Sequence, residues 1–162
     1  METIRYSWNA DSSHVFDLVF VGGTRGQPYS FGEVPGGRPV DIQDFYISTV
    51  PVTQALWTHV MGADANPSVH QGRDLPLENV SWDEITRDGG LLDRMNRSPV
   101  RAAIVAKVAP HMGVLRLPSE TEWEYAARGG PHWTDGFRFS GSDDIVAWHD
   151  RKHGDHTRPV GQ

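Results

Sequence analysis

The run Arg116-Leu117-Pro118-Ser119-Glu120-Thr121-Glu122-Trp123-Glu124-Tyr125-Ala126-Ala127-Arg128-Gly129-Gly130 constrains this chain more than any other stretch. Pro118 holds Leu117 extended, so a strand ending there cannot continue as helix. Ser119 and Glu122 have the S-x-x-E spacing of a capping box, in which hydroxyl and carboxylate each take an amide of the first turn. Glu120 and Glu122 suit the positive end of the helix dipole, and Arg128 suits the negative end. Glu124 and Arg128 form an i, i+4 pair in the favoured order. Trp123, Ala126 and Ala127 read as one inward stripe. Gly129 supplies the left-handed residue that closes the helix. Capping and dipole account for these carboxylates, so none is assigned a catalytic role.

The rest of the chain alternates short strands, helices and loops. Residues 1–15 read as a polar, irregular arm. Phe16 to Val21 is strand-like and stops at Gly22-Gly23, and Tyr29 to Gly32 is a second short alternating piece. Val40 to Ile47 alternates with a change of phase near Asp44, the pattern of a bulge. A helix follows from Thr53, its N-cap, to Gly62, with Leu56, Trp57, Val60 and Met61 inward. Ser81, Trp82 and Glu84 open a second capping-box helix, which Gly89-Gly90 should kink or break. Ser98-Pro99 begins a helical run expected to reach Ala109, with proline at its first position. Val114 to Leu117 reads as a strand. No βαβ rhythm is present, so the expected class is α+β, irregular and loop-rich, with two to three helices and short antiparallel strands.

Composition narrows the functions open to such a chain. Its 162 residues make one domain with a sizeable core. A net charge of -6 argues against non-specific nucleic-acid binding. No apolar run approaches a membrane span, and the start lacks a basic segment followed by an apolar one, so the expected location is cytoplasmic. Cysteine is absent, which removes disulfides, thiolate metal sites and cysteine nucleophiles from this chain.

The Arg116–Gly130 string resembles the R-L-P-[ST]-E-x-E-W-E-Y-A-A-R-G-G signature of the formylglycine-generating enzyme family, also called sulfatase-modifying factor domains. Further segments are similar in the same order: Phe20 to Gly23 with Tyr29 to Gly32, Asp44 to Trp57, Asn66-Pro67-Ser68, Leu75 to Trp82, Val146-Ala147-Trp148 and Pro159 to Gln162. The resemblance covers 16–162 and implies a variant of the C-type lectin fold. The residues that carry it as structural motif are Arg116, Pro118, Ser119, Glu122, Trp123, Arg128, Ser81, Trp82 and Glu84. Two departures bear on chemistry. The family pattern continues beyond the P-V-G element, so the family's C-terminal part is expected to be lacking here. Family enzymes that make formylglycine use a cysteine pair to bind copper and activate oxygen, and this chain has no cysteine. No catalytic or cofactor-binding residue therefore carries over, and copper is not expected. The family also binds calcium, mostly through its later half; Asp143, Asp144 and Asp155 lie near where one such site begins, without a matching ligand pattern. The segment from Ser98 to Gly113 is a helical insertion relative to most members.

Outside the resemblance, His149, His153 and His156 are the metal candidate, because spacings of four and three face one way on a helix and imidazoles suit zinc, iron or copper. Gly154 and the surrounding charges favour a solvated loop instead. Trp57, Trp82 and Trp123 fall on expected helices and read as core, whereas Trp133 and Trp148 fall in loops and read as surface. The leading expectation is a family-like domain without formylglycine-generating activity of its own, serving as a binding or interaction module, or part of a longer protein. A partner chain or a missing half should then cover an exposed apolar face. The alternative is an oxygen-dependent metal oxidoreductase whose metal site is completed by a partner domain or by His149, His153 and His156.

Overall fold

The computed structural model describes residues 3–7, 15–32, 36–106, 113–132 and 156–161. Its larger sheet has three antiparallel strands in the order β1 (Thr3–Ser7), β2 (Val15–Val21) and β5 (Phe45–Ser48). A two-stranded sheet pairs β3 (Tyr29–Phe31) with β4 (Arg38–Val40). Register in the larger sheet places Ile4 opposite Leu18 and Val19 opposite Ile47. Because side chains alternate across a strand, Ile4 and Leu18 share one face, while Val19, Val21 and Ile47 share the other.

Those two faces carry two cores. On the first, Ile4 and Leu18 pack with Leu56, Trp57, Leu91, Met95, Val100 and Ile104, all nearly inaccessible. The helices that supply them are α1 (Gln54–Met61), α3 (Leu91–Arg97) and α4 (Pro99–Val105). On the second, Val21 packs with Tyr29, Ile42 and Tyr125. Tyr125 belongs to α5 (Glu120–Ala127). The central strand β2 thus joins both cores, and α5 meets the sheet where β2 ends at Gly22-Gly23, the Tyr125 hydroxyl bonding the Gly22 carbonyl.

Local signals were realised where the chemistry is local. Thr53 caps α1, its hydroxyl accepting from the Leu56 amide at 3.2 Å. Ser81 and Glu84 form a complete capping box on α2 (Trp82–Thr86), and Ser119 and Glu122 form another on α5. Gly89, at φ +75, separates α2 from α3. Ser98 caps α4 with Pro99 at the first helical position.

Four expectations need correction. Within the expected arm of residues 1–15, Thr3–Ser7 is not irregular: it pairs along β2, and Arg5 donates to the Asp17 carboxylate at 2.9 and 2.6 Å. Val40 to Ile47 is not one bulged strand: β4 and β5 belong to different sheets, and 41–44 carries the chain between them. Val114 to Leu117 joins no ladder among the described residues. Trp82 and Trp123 are not core; they are 68% and 62% exposed. Trp57 is buried as expected, at 3%. Trp133, Trp148 and the end of the expected α4 run lie outside the described residues, as do Asp143, Asp144 and Asp155.

Candidate functional site

Helix α5 builds the site by the way it is fastened. Its Glu124 carboxylate accepts from the Tyr29 hydroxyl at 2.6 Å and from the Gly32 amide at 3.0 Å, and lies 3.3 Å from the Arg128 guanidinium. Arg128 also donates to the Gly32 carbonyl at 3.4 Å. Tyr125, the next residue, donates to the Gly22 carbonyl at 3.0 Å and meets the Tyr29 ring edge to face at 5.2 Å. Burial, and then the bond to Glu124, raises the pKa of the Tyr29 hydroxyl; burial, and then Asp44, raises that of Tyr125. Both phenols therefore stay protonated near neutral pH and act as donors that hold the helix, not as bases or nucleophiles.

The first turn of α5 is locked separately. Arg116 donates two parallel bonds to the Glu122 carboxylate, at 2.7 and 2.6 Å. That guanidinium, with the Ser119 amide and hydroxyl, holds Glu122 down at about 2. Hydrogen bonds from Ser81 likewise lower Glu84. Carboxylates that remain ionised and occupied by caps cannot serve as general acids at neutral pH.

With α5 fixed, the turn that follows it is set against β2. Gly129 and Gly130 have φ of +100 and +58, a geometry side chains resist. A Cβ on Gly130 would also stand 3.0 Å from Val21 Cγ1, so the glycine allows the turn to approach the strand. Between the strands and this turn lies a cleft of about 810 Å³. Val19, Val21 and Ile47 line it from the sheet, and Ala126, Pro131 and His132 from the helix end and turn. Arg25 and His132 are its only titratable lining side chains among the described residues. A smaller polar recess of about 550 Å³ adjoins it, sharing Gly23, Thr24 and Arg25 and adding Asp41 and Asp44. There Asp44 accepts from the Gly23 amide at 2.7 Å and lies 3.6 Å from Arg25.

The structure brings Arg116, Pro118, Ser119, Glu122 and Arg128 together around α5, and Ser81, Trp82 and Glu84 around α2. The first set fixes α5, whose Ala126 lines the cleft; no residue of either set lines it. Trp123 stands on the far side of α5. His149 and His153 lie outside the described residues; His156 is exposed, with its ring 5.3 Å from that of His70. No group of three or more His, Asp or Glu side chains suited to a metal occurs among the described residues. No described helix is long and apolar enough to cross a membrane. The cleft itself was not read from the sequence, although Gly22-Gly23 and Gly129-Gly130 were; two glycine pairs ending a strand and a helix are the available signal.

Comparison with known proteins places these features in a wider set. The sequence pattern of the sulfatase-modifying factor enzyme 1-like domain matches residues 16–161. Chaperone protein LppX of Paenibacillus barcinonensis is 35% identical over 132 residues, which span 69% of this chain and 46% of LppX. The chain thus spans less than half the length of that relative. No solved structure matches.

Proposed function

From the premise that this chain belongs to the sulfatase-modifying factor enzyme 1-like domain family, we propose that it is a binding module of that family and not by itself a formylglycine generator. The reading takes the lectin-like fold as its frame and the cleft beside α5 as its ligand site. One observation carries it: among the described residues the cleft is walled mainly by Val19, Val21, Ile47, Ala126 and Pro131, with Arg25 and His132 as its charged or titratable side chains and no carboxylate in its lining. Such a lining accepts apolar groups by desolvation and offers no acid–base pair to react with them. The absence of cysteine from all 162 residues supports the same conclusion, because the family's copper chemistry rests on thiolates. The ligand we assign is an apolar stretch of polypeptide. A relative that carries the name chaperone protein is consistent with that class.

Reduced, carboxymethylated lactalbumin, a permanently unfolded chain, serves as the probe. Its fluorescently labelled form should bind the full protein saturably, and Ala126→Trp, which fills the cleft, should weaken binding at least about tenfold. A probe that binds wild type and variant alike would remove the cleft from the account. In parallel, a cysteine-containing sulfatase peptide incubated with the protein and copper should keep its cysteine by mass spectrometry. Conversion to formylglycine would overturn the non-catalytic assignment.

A further inference from the structure

The segment from Gly113 to Ser119 runs without turn or bend. In a strand the amide and carbonyl of one residue point to one side and those of its neighbours to the other. Of the odd-numbered residues here, Leu115 is engaged inside its own chain through both main-chain groups, and Gly113 and Leu117 through their carbonyls. Asn96 bonds Leu115 twice, its amide nitrogen donating to the carbonyl at 2.8 Å and its oxygen accepting from the amide at 2.9 Å. The Gly113 carbonyl accepts from Arg101 at 3.3 Å and the Leu117 carbonyl accepts from Arg116 at 3.0 Å. Among the described residues, no hydrogen bond is made by the main-chain groups of Val114 or Arg116. Asn96 of α3, Arg101 of α4 and the segment's own Arg116 thus engage one edge of a strand-like segment, while its other edge presents the main-chain donors and acceptors of Val114 and Arg116. Val114 and Leu117 are 64% and 39% exposed beside it.

We propose that this edge pairs antiparallel with the same segment of a second copy of the chain. A two-fold axis through Leu115 sets Val114 opposite Arg116 of the second copy, so that each of these residues exchanges both its main-chain bonds. The same register sets Leu117 opposite Gly113 of the second copy. A Cβ on Gly113 would have nothing within 4 Å, which leaves room for that leucine. Each Arg116 guanidinium is already bonded to Glu122 of its own chain, so the two copies bring neutralised pairs together, not bare cations. The pairing is short, which puts the association in the weak class that depends on concentration.

Sedimentation velocity of the full chain from about 5 µM to about 1 mM tests this. Wild type should pass from monomer to dimer across the range. Val114→Pro deletes one amide on each copy, at a residue already in an extended run, and should weaken the dimer on the order of thirty-fold while the circular dichroism stays that of wild type. A monomer at every concentration overturns the proposal, as does a dimer that Val114→Pro leaves intact. Should Val114→Pro lose its fold, Leu117→Gln decides: weakened association supports this edge, and unchanged association overturns it.

Discussion

Replacing Glu122 with glutamine isolates the charge that fixes the first turn of α5. Glutamine keeps the capping-box geometry, because its side-chain oxygen still accepts from the Ser119 amide, but it loses the ion pair with Arg116. The folded protein holds the Glu122 carboxyl at about 2, against an ordinary 4.5, with Arg116 as the largest cause. Undiscounted, that difference corresponds to about 3 kcal/mol. Arg116 is 53% exposed, so solvent screening reduces the contribution to about 1–2 kcal/mol. A carboxyl depressed by folding stabilises the protein above its unfolded pKa and loses that contribution as pH falls through the folded value. Wild type should therefore lose about 1–2 kcal/mol between pH 5 and pH 2 that Glu122→Gln does not lose, and the variant should be weaker by that amount at pH 7. Urea unfolding at half-unit pH steps measures both curves. Parallel curves for the two proteins would refute the assignment of the Arg116–Glu122 pair as the anchor of α5.

Other consequences follow from the packing. A Cβ on Gly23 would meet the Ile42 carbonyl oxygen and lie 2.8 Å from the Gln43 carbonyl carbon, so Gly23→Ala should cost at least about 2 kcal/mol in thermal unfolding. Gln54 is 2% exposed and bonds His70, Pro76, Asn66 and Gly72 through its amide; Gln54→Ala should cost about 3 kcal/mol in urea unfolding and speed hydrogen exchange at Gly72. Trp82→Ser and Trp123→Ser should each move stability by no more than about 0.5 kcal/mol, because both rings face outward.

What the sequence made legible was what neighbouring residues decide together. Both capping boxes, the Thr53 cap, the break at Gly89 and the left-handed Gly129 follow from interactions within a few residues, and all are present. The inward face of α5 was not legible from its apolar pattern. Trp123 and Ala127 lie opposite Tyr125 on the helix, and the side that turns inward carries Glu122, Tyr125 and Arg128. Those side chains are buried or half-buried, with their polar ends bonded to Arg116, Gly22 and Gly32, residues that the sequence does not place beside them. Hydrophobic periodicity cannot report an inward face that is polar and satisfied. The same reason hid Gln54, a polar residue that looks exposed and instead organises the loop from Asn66 to Pro76. β1 was missed because its residues are mostly polar, and cross-strand pairing such as Arg5 with Asp17 holds it in place. The cleft was hidden for a related reason, since it depends on how close Gly130 brings the end of α5 to Val21.

The measurement that bears most directly on the central claim is a map of amide shifts in the isotopically labelled protein, titrated with unlabelled carboxymethylated lactalbumin. The account predicts saturable shifts concentrated at Val19 to Gly23, Ile47 and Gly129 to His132, the lining of the cleft. Saturable shifts that spare those residues and gather elsewhere would contradict it.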